Sequence, residues 1–383
     1  MAALSGDGLE ELLATIEYLQ GALASNPCSG PPAVSWDVDE SLKAKVETLA
    51  KSAESLSSAT TKLTMVSKSS PKPEATESIS VELSQALNHL VTSAQVVEAH
   101  GVAEPLREEL NRSTQMVVTS MKELCGTIRQ HGAEGKHANT ATGIVWSSCE
   151  KVQAVPKSNK LAYRRALMHV SAMVKDTIDE FTQIVEDSKT EGAGEGDEGG
   201  GLQAADAALD DFGDFGDEDF QFAAGEIPIA ESCLGLLKLL RATYRTALDE
   251  ITRVGGTTPG PPTRLLSVTT RVPRSLIGAP RPCTGTSPDH DSTCHLWIAQ
   301  VCALCQRSSR AGNDLGAALY PPLEADLQGA VSVLRDVALE LGQLLENPPD
   351  RAAAGTAEAA PDSIRKVWEK KLGKAADLVK DIS

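Results

Sequence analysis

Apolar residues recur every three or four positions along most of this chain, and that spacing fits helices far better than strands. Leu9, Leu12, Leu13, Ile16, Leu19 and Leu23 form one such stripe, with Asp7 placed to cap it and Asn26-Pro27 to end it. Leu42, Val46, Leu49, Ala53, Leu56, Thr60 and Leu63 form a second, stepping alternately by four and three. Such steps suit helices packed nearly parallel in a bundle. At about 1.5 Å per residue the second helix is a rod of roughly 45 Å. Ser70-Pro71-Lys72-Pro73 interrupts it.

Four more stripes follow. Ile79, Leu83, Leu87, Leu90, Ala94 and Val97 precede His100-Gly101, a good C-terminal cap. Pro105 opens a helix carrying Leu106, Leu110, Val117, Met121, Leu124 and Ile128. A shorter segment, near 144 to 155, stops at Pro156. Ser158-Asn159 then caps a long helix with Tyr163, Leu167, Val170, Val174, Ile178, Phe181 and Val185. These six stripes fill residues 1–188 and predict an N-terminal helical bundle.

Composition supports the same class. The chain is 41% hydrophobic but only 3% aromatic, so its core is built from Ala, Leu and Val, which pack helix on helix. The expected class is all-α, with no sheet. A net charge of −17 makes nucleic acid a poor direct partner, because phosphates must be met by clustered Lys and Arg. Eight cysteines scattered over 383 residues read as reduced thiols rather than a disulfide framework. No apolar run approaches the roughly 20 residues of a membrane span, and the N-terminus lacks the basic region of a signal peptide. Cytoplasm and nucleus are the expected locations.

After residue 188 the character changes. From Glu186 to Phe220 there are thirteen acidic residues and one basic residue, Lys189, a net of −12 out of −17. Together with glycine runs this predicts a disordered acidic linker over 189–225. Phe212, Phe215, Phe220 and Phe222 interleave with the acids. They make the linker either a solvated spacer or a segment that docks a partner or folds back on the bundle.

Helical spacing resumes over 226–251 with Ile229, Cys233, Leu236, Leu237, Leu240, Tyr244, Leu248 and Ile251. Residues 252–293 then hold seven of the twenty prolines, five arginines and no lysine, without periodicity. They read as a disordered insertion, or as translated intron. A C-terminal bundle is completed by 294–346, with stripes at Leu296, Trp297, Val301 and Leu304, and from Leu323 to Leu345. Residues 347–383 make a linker and a basic helix whose apolar side carries Val367, Trp368, Leu372, Ala375 and Leu378.

Chemistry is sparse. There is no phosphate-cradling glycine loop and no Gly-x-Ser-x-Gly, and no cofactor is expected. Cys302 and Cys305 lie near Cys294, His295, Cys283 and His290. One close cysteine pair is too little for structural zinc, which wants four ligands, and at i, i+3 the pair reads as core. Arg264-Leu265-Leu266 and Lys238-Leu239-Leu240 have the form of cyclin-docking triplets, which arise often by chance. The expected function is therefore partner binding without catalysis.

Several motifs sharpen this. Gly143-Ile-Val-Trp146-Ser-Ser-Cys149, Val155-Pro156-Lys-Ser-Asn159-Lys160 and Met173-Val-Lys-Asp176 resemble the cyclin-D-binding protein family. So do Gly225-Glu-Ile-Pro-Ile229, Trp297 and Asp314-Leu315-Gly316-Ala-Ala-Leu-Tyr320-Pro321-Pro322. The resemblance spans roughly residues 40 to 345, apart from 252 to 293. It implies elongated antiparallel bundles of the vinculin or α-catenin type. It further implies a negative regulator of the cell cycle that binds a D-type cyclin and lowers the activity of its kinase. Helix-loop-helix transcription factors are a second implied partner class. A cytoskeletal or adhesion-type adaptor is the alternative that the same bundle would serve. For the motif residues the expectation is mainly architectural: Trp146 a core anchor, Pro156 a helix stop, Asn159 a cap, and Tyr320-Pro321-Pro322 a bend.

Overall fold

A computed structural model of the chain describes residues 7–25, 40–68, 73–131, 136–192, 221–253, 288–320, 326–349 and 364–380. Every regular element among them is a helix: α1 (Asp7–Ala24), α2 (Glu40–Lys68), α3 (Pro73–Ala99), α4 (Glu104–His131), α5 (Lys136–Gln153), α6 (Asn159–Gly192), α7 (Ile227–Arg253), α8 (Pro288–Ala318), α9 (Leu327–Glu346) and α10 (Ile364–Lys380). The chain is all-α. It divides into two compact units, one of residues 1–163 with 287–295, the other of 164–286 with 296–383.

In the first unit the sequence stripes are the buried faces. Leu42, Val46, Leu49, Ala53, Leu56 and Leu63 of α2 are each at most 2% exposed, as are Leu106, Leu110, Val117, Met121, Leu124 and Ile128 of α4. Packing runs from α1 to α3, α2, α5, α4 and back to α1, a closed ring around one aliphatic core. α5 begins well before the segment expected near Ile144. Its early positions, Ala138, Ala141 and Thr142, are buried but too small to register as an apolar stripe. Thr142 exchanges a buried hydroxyl contact of 2.9 Å with Thr64 of α2, satisfying two polar groups inside the core.

The α3–α4 corner is built from backbone geometry and one buried charge. Gly101 sits at φ 83°, the left-handed conformation that ends a helix at little cost only for glycine. Arg107, 6% exposed, donates to the Val102 carbonyl at 3.1 Å and to Glu104 at 2.7 Å, and lies 3.7 Å from Glu98.

The second unit comprises α7, α9, α10, most of α6 and most of α8. α8 runs antiparallel to α7, with Tyr244 donating to the Cys305 carbonyl at 3.2 Å and lying 2.9 Å from the Ser308 hydroxyl. α10 packs on both α7 and α9. Trp368 is fully buried there, and its indole N–H donates to Thr243 at 3.0 Å. The basic C-terminal helix is thus part of this unit's core.

Three expected boundaries shift. α6 continues to Gly192, into the expected linker, where Lys189 forms an ion pair with Glu231 of α7. At the other end of that linker Phe222 is 5% exposed and its N–H donates to Ser188 at 2.9 Å, so the chain is anchored at Phe222 while its neighbours 221 and 223–225 stay exposed. α8 starts at Pro288, inside the expected insertion, because proline suits the first helical position. The remainder of both segments, 193–220 and 254–287, lies outside the described residues.

Replacing Trp368 with Ala removes the largest fully buried side chain and the indole N–H that Thr243 accepts. A loss of about 3–5 kcal/mol, read as a lower urea midpoint, is the expected result; an unchanged midpoint contradicts the packing of α10.

Candidate interaction surface

The motif residues fall into two groups, one in each unit. In the first, Cys149 is 1% exposed and Asn159 2%; Pro156 is buried and Lys160 half-buried. Asn159 does not cap its own helix. Ser158 does that, accepting from the Leu161 N–H at 3.3 Å. The Asn159 Oδ1 instead accepts the Ala103 N–H at 2.8 Å, satisfying a buried donor at the start of α4. Sequence spacing could find the cap but not this bond across 56 residues.

Trp146 corrects an expectation. It is 41% exposed, not a core anchor. The core face of α5 is taken by Val145, Cys149 and Val152, and Trp146 falls one helical step to the side of Val145. Ile144, on the other side of Val145, is 46% exposed. Two large apolar side chains thus face solvent on one helix, flanked by the small residues Gly143 and Ser147.

In the second unit, motifs far apart in sequence meet where α6 packs on α8. Leu315 is fully buried, whereas Asp176 and Asp314 are exposed. A Cβ on Gly316 would lie 2.8 Å from the Thr177 methyl and 3.5 Å from the Phe181 ring, so a side chain there forces Thr177 to shift. A Cβ on Gly312 would lie 3.1 Å from Leu240 of α7, which is fully buried. That burial takes Lys238-Leu239-Leu240 out of contention as a docking triplet in the folded chain. Tyr320 packs edge-on against Phe181, with ring centres 5.1 Å apart, and its hydroxyl donates to Glu180. That hydrogen bond to a carboxylate, aided by partial burial, pushes the Tyr320 phenol up to about 12. Trp297 is 5% exposed and donates its indole N–H to the Leu344 carbonyl of α9 at 3.0 Å. Pro321 and Pro322 lie outside the described residues.

Among the described residues no three His, Cys, Asp or Glu side chains gather as metal ligands, and no helix is long and apolar enough to cross a membrane. Cys302 and Cys305 are core residues whose thiols burial pushes up. Cys283, and the side chain of His290, lie outside the described residues. Burial is also the main cause at Cys125, Cys149 and Cys233, each pushed up to about 12, with the Glu150 carboxylate adding to it at Cys149. Such thiols are protonated and poor nucleophiles.

Comparison with known proteins turns on the same helices. Residues 48–187 match the family described as Grap2 and cyclin-D-interacting, N-terminal. The resemblance to the cyclin-D-binding family stands. A zebrafish (Danio rerio) protein named Cyclin-D1-binding protein 1 homolog is 27% identical over 146 residues, which cover 37% of this chain. The match spans 39% of that protein's length. These names point to an interaction protein rather than an enzyme. The family-matched segment holds Trp146, Asn159 and Asp176, and excludes the α8 motif from Asp314 to Tyr320.

Two outcomes follow from the packing. Gly316→Val places methyl groups inside the Thr177 contact and destabilises by about 1–3 kcal/mol; adding Thr177→Ala recovers part of that loss in urea titrations. At about pH 8 a thiol reagent leaves Cys125, Cys149 and Cys233 unmodified in the folded chain and labels them in denaturant. Because the folded thiols hold their protons more tightly, their contribution to stability is complete below about pH 9 and is lost as pH rises toward 12.

Proposed function

We propose that the chain is a non-enzymatic regulator of cell-cycle progression that binds a D-type cyclin and so restrains the kinase that cyclin activates. The match of residues 48–187 to a cyclin-D-interacting family, with an exposed tryptophan inside the matched segment, carries this reading. The zebrafish relative is named for binding cyclin D1. Tryptophan is enriched among the few residues that dominate protein interfaces, because its large ring gains much on burial and loses little freedom. Ile144 and Trp146 leave apolar area in water on α5 while Val145, Cys149 and Val152 of the same helix are covered. The reading extends to helix-loop-helix factors as a second partner class, and to action in both nucleus and cytoplasm.

Titrating the purified chain with a D-type cyclin gives saturable binding on this proposal. Trp146→Ala weakens that binding by about tenfold or more. Because the ring is exposed, the same change moves the unfolding free energy by no more than about 0.5 kcal/mol. An intact chain that binds no D-type cyclin overturns the proposal, and one that binds equally well without Trp146 overturns the assignment of this face.

A further inference from the structure

α10 is amphipathic in an uneven way. Its apolar side, Trp368, Leu372 and Ala375, is buried in the second unit. Its outer side presents Lys370, Lys371 and Lys374, all exposed, beside Val367 at 37% exposure. Arg365 pairs with Glu369 at 2.9 Å, but the three lysines have no carboxylate partner among the described residues. In a chain of net charge −17 this is a concentrated cationic face.

The compensating charge is in the same chain. Residues 193–220 hold ten carboxylates and no Lys or Arg, with Phe212, Phe215 and Phe220 among them. Both ends of this segment are fastened to the second unit at one place. α6 delivers the chain at Gly192, and Phe222 returns it through the 2.9 Å hydrogen bond to Ser188. The Lys189–Glu231 ion pair ties the same place to the start of α7.

The distances suit an intramolecular contact. α10 begins against the C-terminal end of α9, where the Arg365 N–H donates to Glu346 at 3.1 Å. It then runs back along α9 and α7, passing Thr243 at Trp368. Thr243 stands about 24 Å along α7 from Ile227, and Lys374 lies about 9 Å further down α10 than Trp368, at about 1.5 Å per residue. Lys374 is therefore about 15 Å along the bundle from the segment's root. Twenty-eight residues leaving and returning at one point reach about 45 Å when extended at about 3.3 Å per residue. Root and lysine face lie within the segment's span, and the local concentration of carboxylates is set by the chain itself.

We propose that the acidic, phenylalanine-bearing segment 193–220 docks on the Lys370–Lys371–Lys374 face of α10 in the same chain. Its carboxylates pair with the three ammonium groups, and a phenylalanine ring covers Val367 and the lysine stems. Ion pairs on a surface are individually weak, so the docking depends on several acting together and is weakened by salt.

Amine-modification rates at the three lysines, followed by mass spectrometry in the full chain, test this. On the proposal they are modified severalfold more slowly at about 0.1 M salt than at about 1 M, where the screening length falls from about 10 Å to about 3 Å. Substituting Asp210, Asp211, Asp214, Asp217 and Asp219 with Asn, and Glu218 with Gln, abolishes that protection and leaves the packed Phe222 and Ser188 untouched. Carbodiimide coupling of the intact chain joins the segment to the α10 lysines within single molecules, recognised by mixing isotopically light and heavy chains. Equal lysine reactivity with and without the six carboxylates overturns the proposal. So do couplings only between different molecules, or native lysines that bind phosphatidylserine vesicles as tightly as the neutralised chain's do.

Discussion

Helices whose packing faces carry alanine, leucine and valine fill their core only by coming close together, and most of this molecule follows from that constraint. With aromatics at 3% there are few bulky side chains to bridge gaps between helices. Small residues therefore appear where helices meet: Ala53 and Ala59 on α2, Ala138 and Ala141 on α5, Gly312 and Gly316 on α8. Polar groups caught in these seams need partners, and the Thr64–Thr142 contact supplies them in the first unit. In the second unit the few large rings, Tyr244, Trp297 and Trp368, each reach a hydrogen-bond partner on a neighbouring helix. Those bonds give direction to an interface that aliphatic packing alone leaves free to slide.

The legible part of the fold is the part that periodicity controls. The stripes of α2 and α4 read from the sequence are, residue for residue, buried faces, and Gly101 ends α3 through the conformation its lack of Cβ allows. Periodicity is blind to small residues, which is why the first two turns of α5 are hidden in the sequence although Ala138 and Thr142 are core. It is equally blind to contacts between distant segments. Asn159 reads as a cap because Asn favours that place locally, yet its side chain is used across the unit on Ala103. The apolar side of α10 is plain in the sequence; that it closes the second unit depends on Thr243, which no local pattern singles out.

The candidate site was less legible, for a reason that lies in the same geometry. Tryptophan among Ile144, Val145 and Cys149 suggests a core position by type alone. Its angular place on the helix decides otherwise: successive residues turn about 100°, so Val145 facing inward leaves Ile144 and Trp146 on its two flanks. A flank is covered only if a neighbouring helix stands there. At Trp146 none covers it fully, and the ring is left at 41% exposure.

This separates the family motifs by what they do. Gly316, Leu315, Trp297, Cys149 and Asn159 are fixed by contacts inside the molecule, and a substitution there acts first on stability. Ile144 and Trp146 make no comparable demand on the core, so the free energy their burial offers is available to another molecule. On the proposed reading of the chain as a partner-binding bundle, such uncovered apolar positions are where recognition can be selective while the scaffold stays unchanged. The acidic surplus acts at longer range, influencing which partners approach. On that proposal, specific contact rests on Trp146, held at fixed orientation by the closed ring of helices behind it.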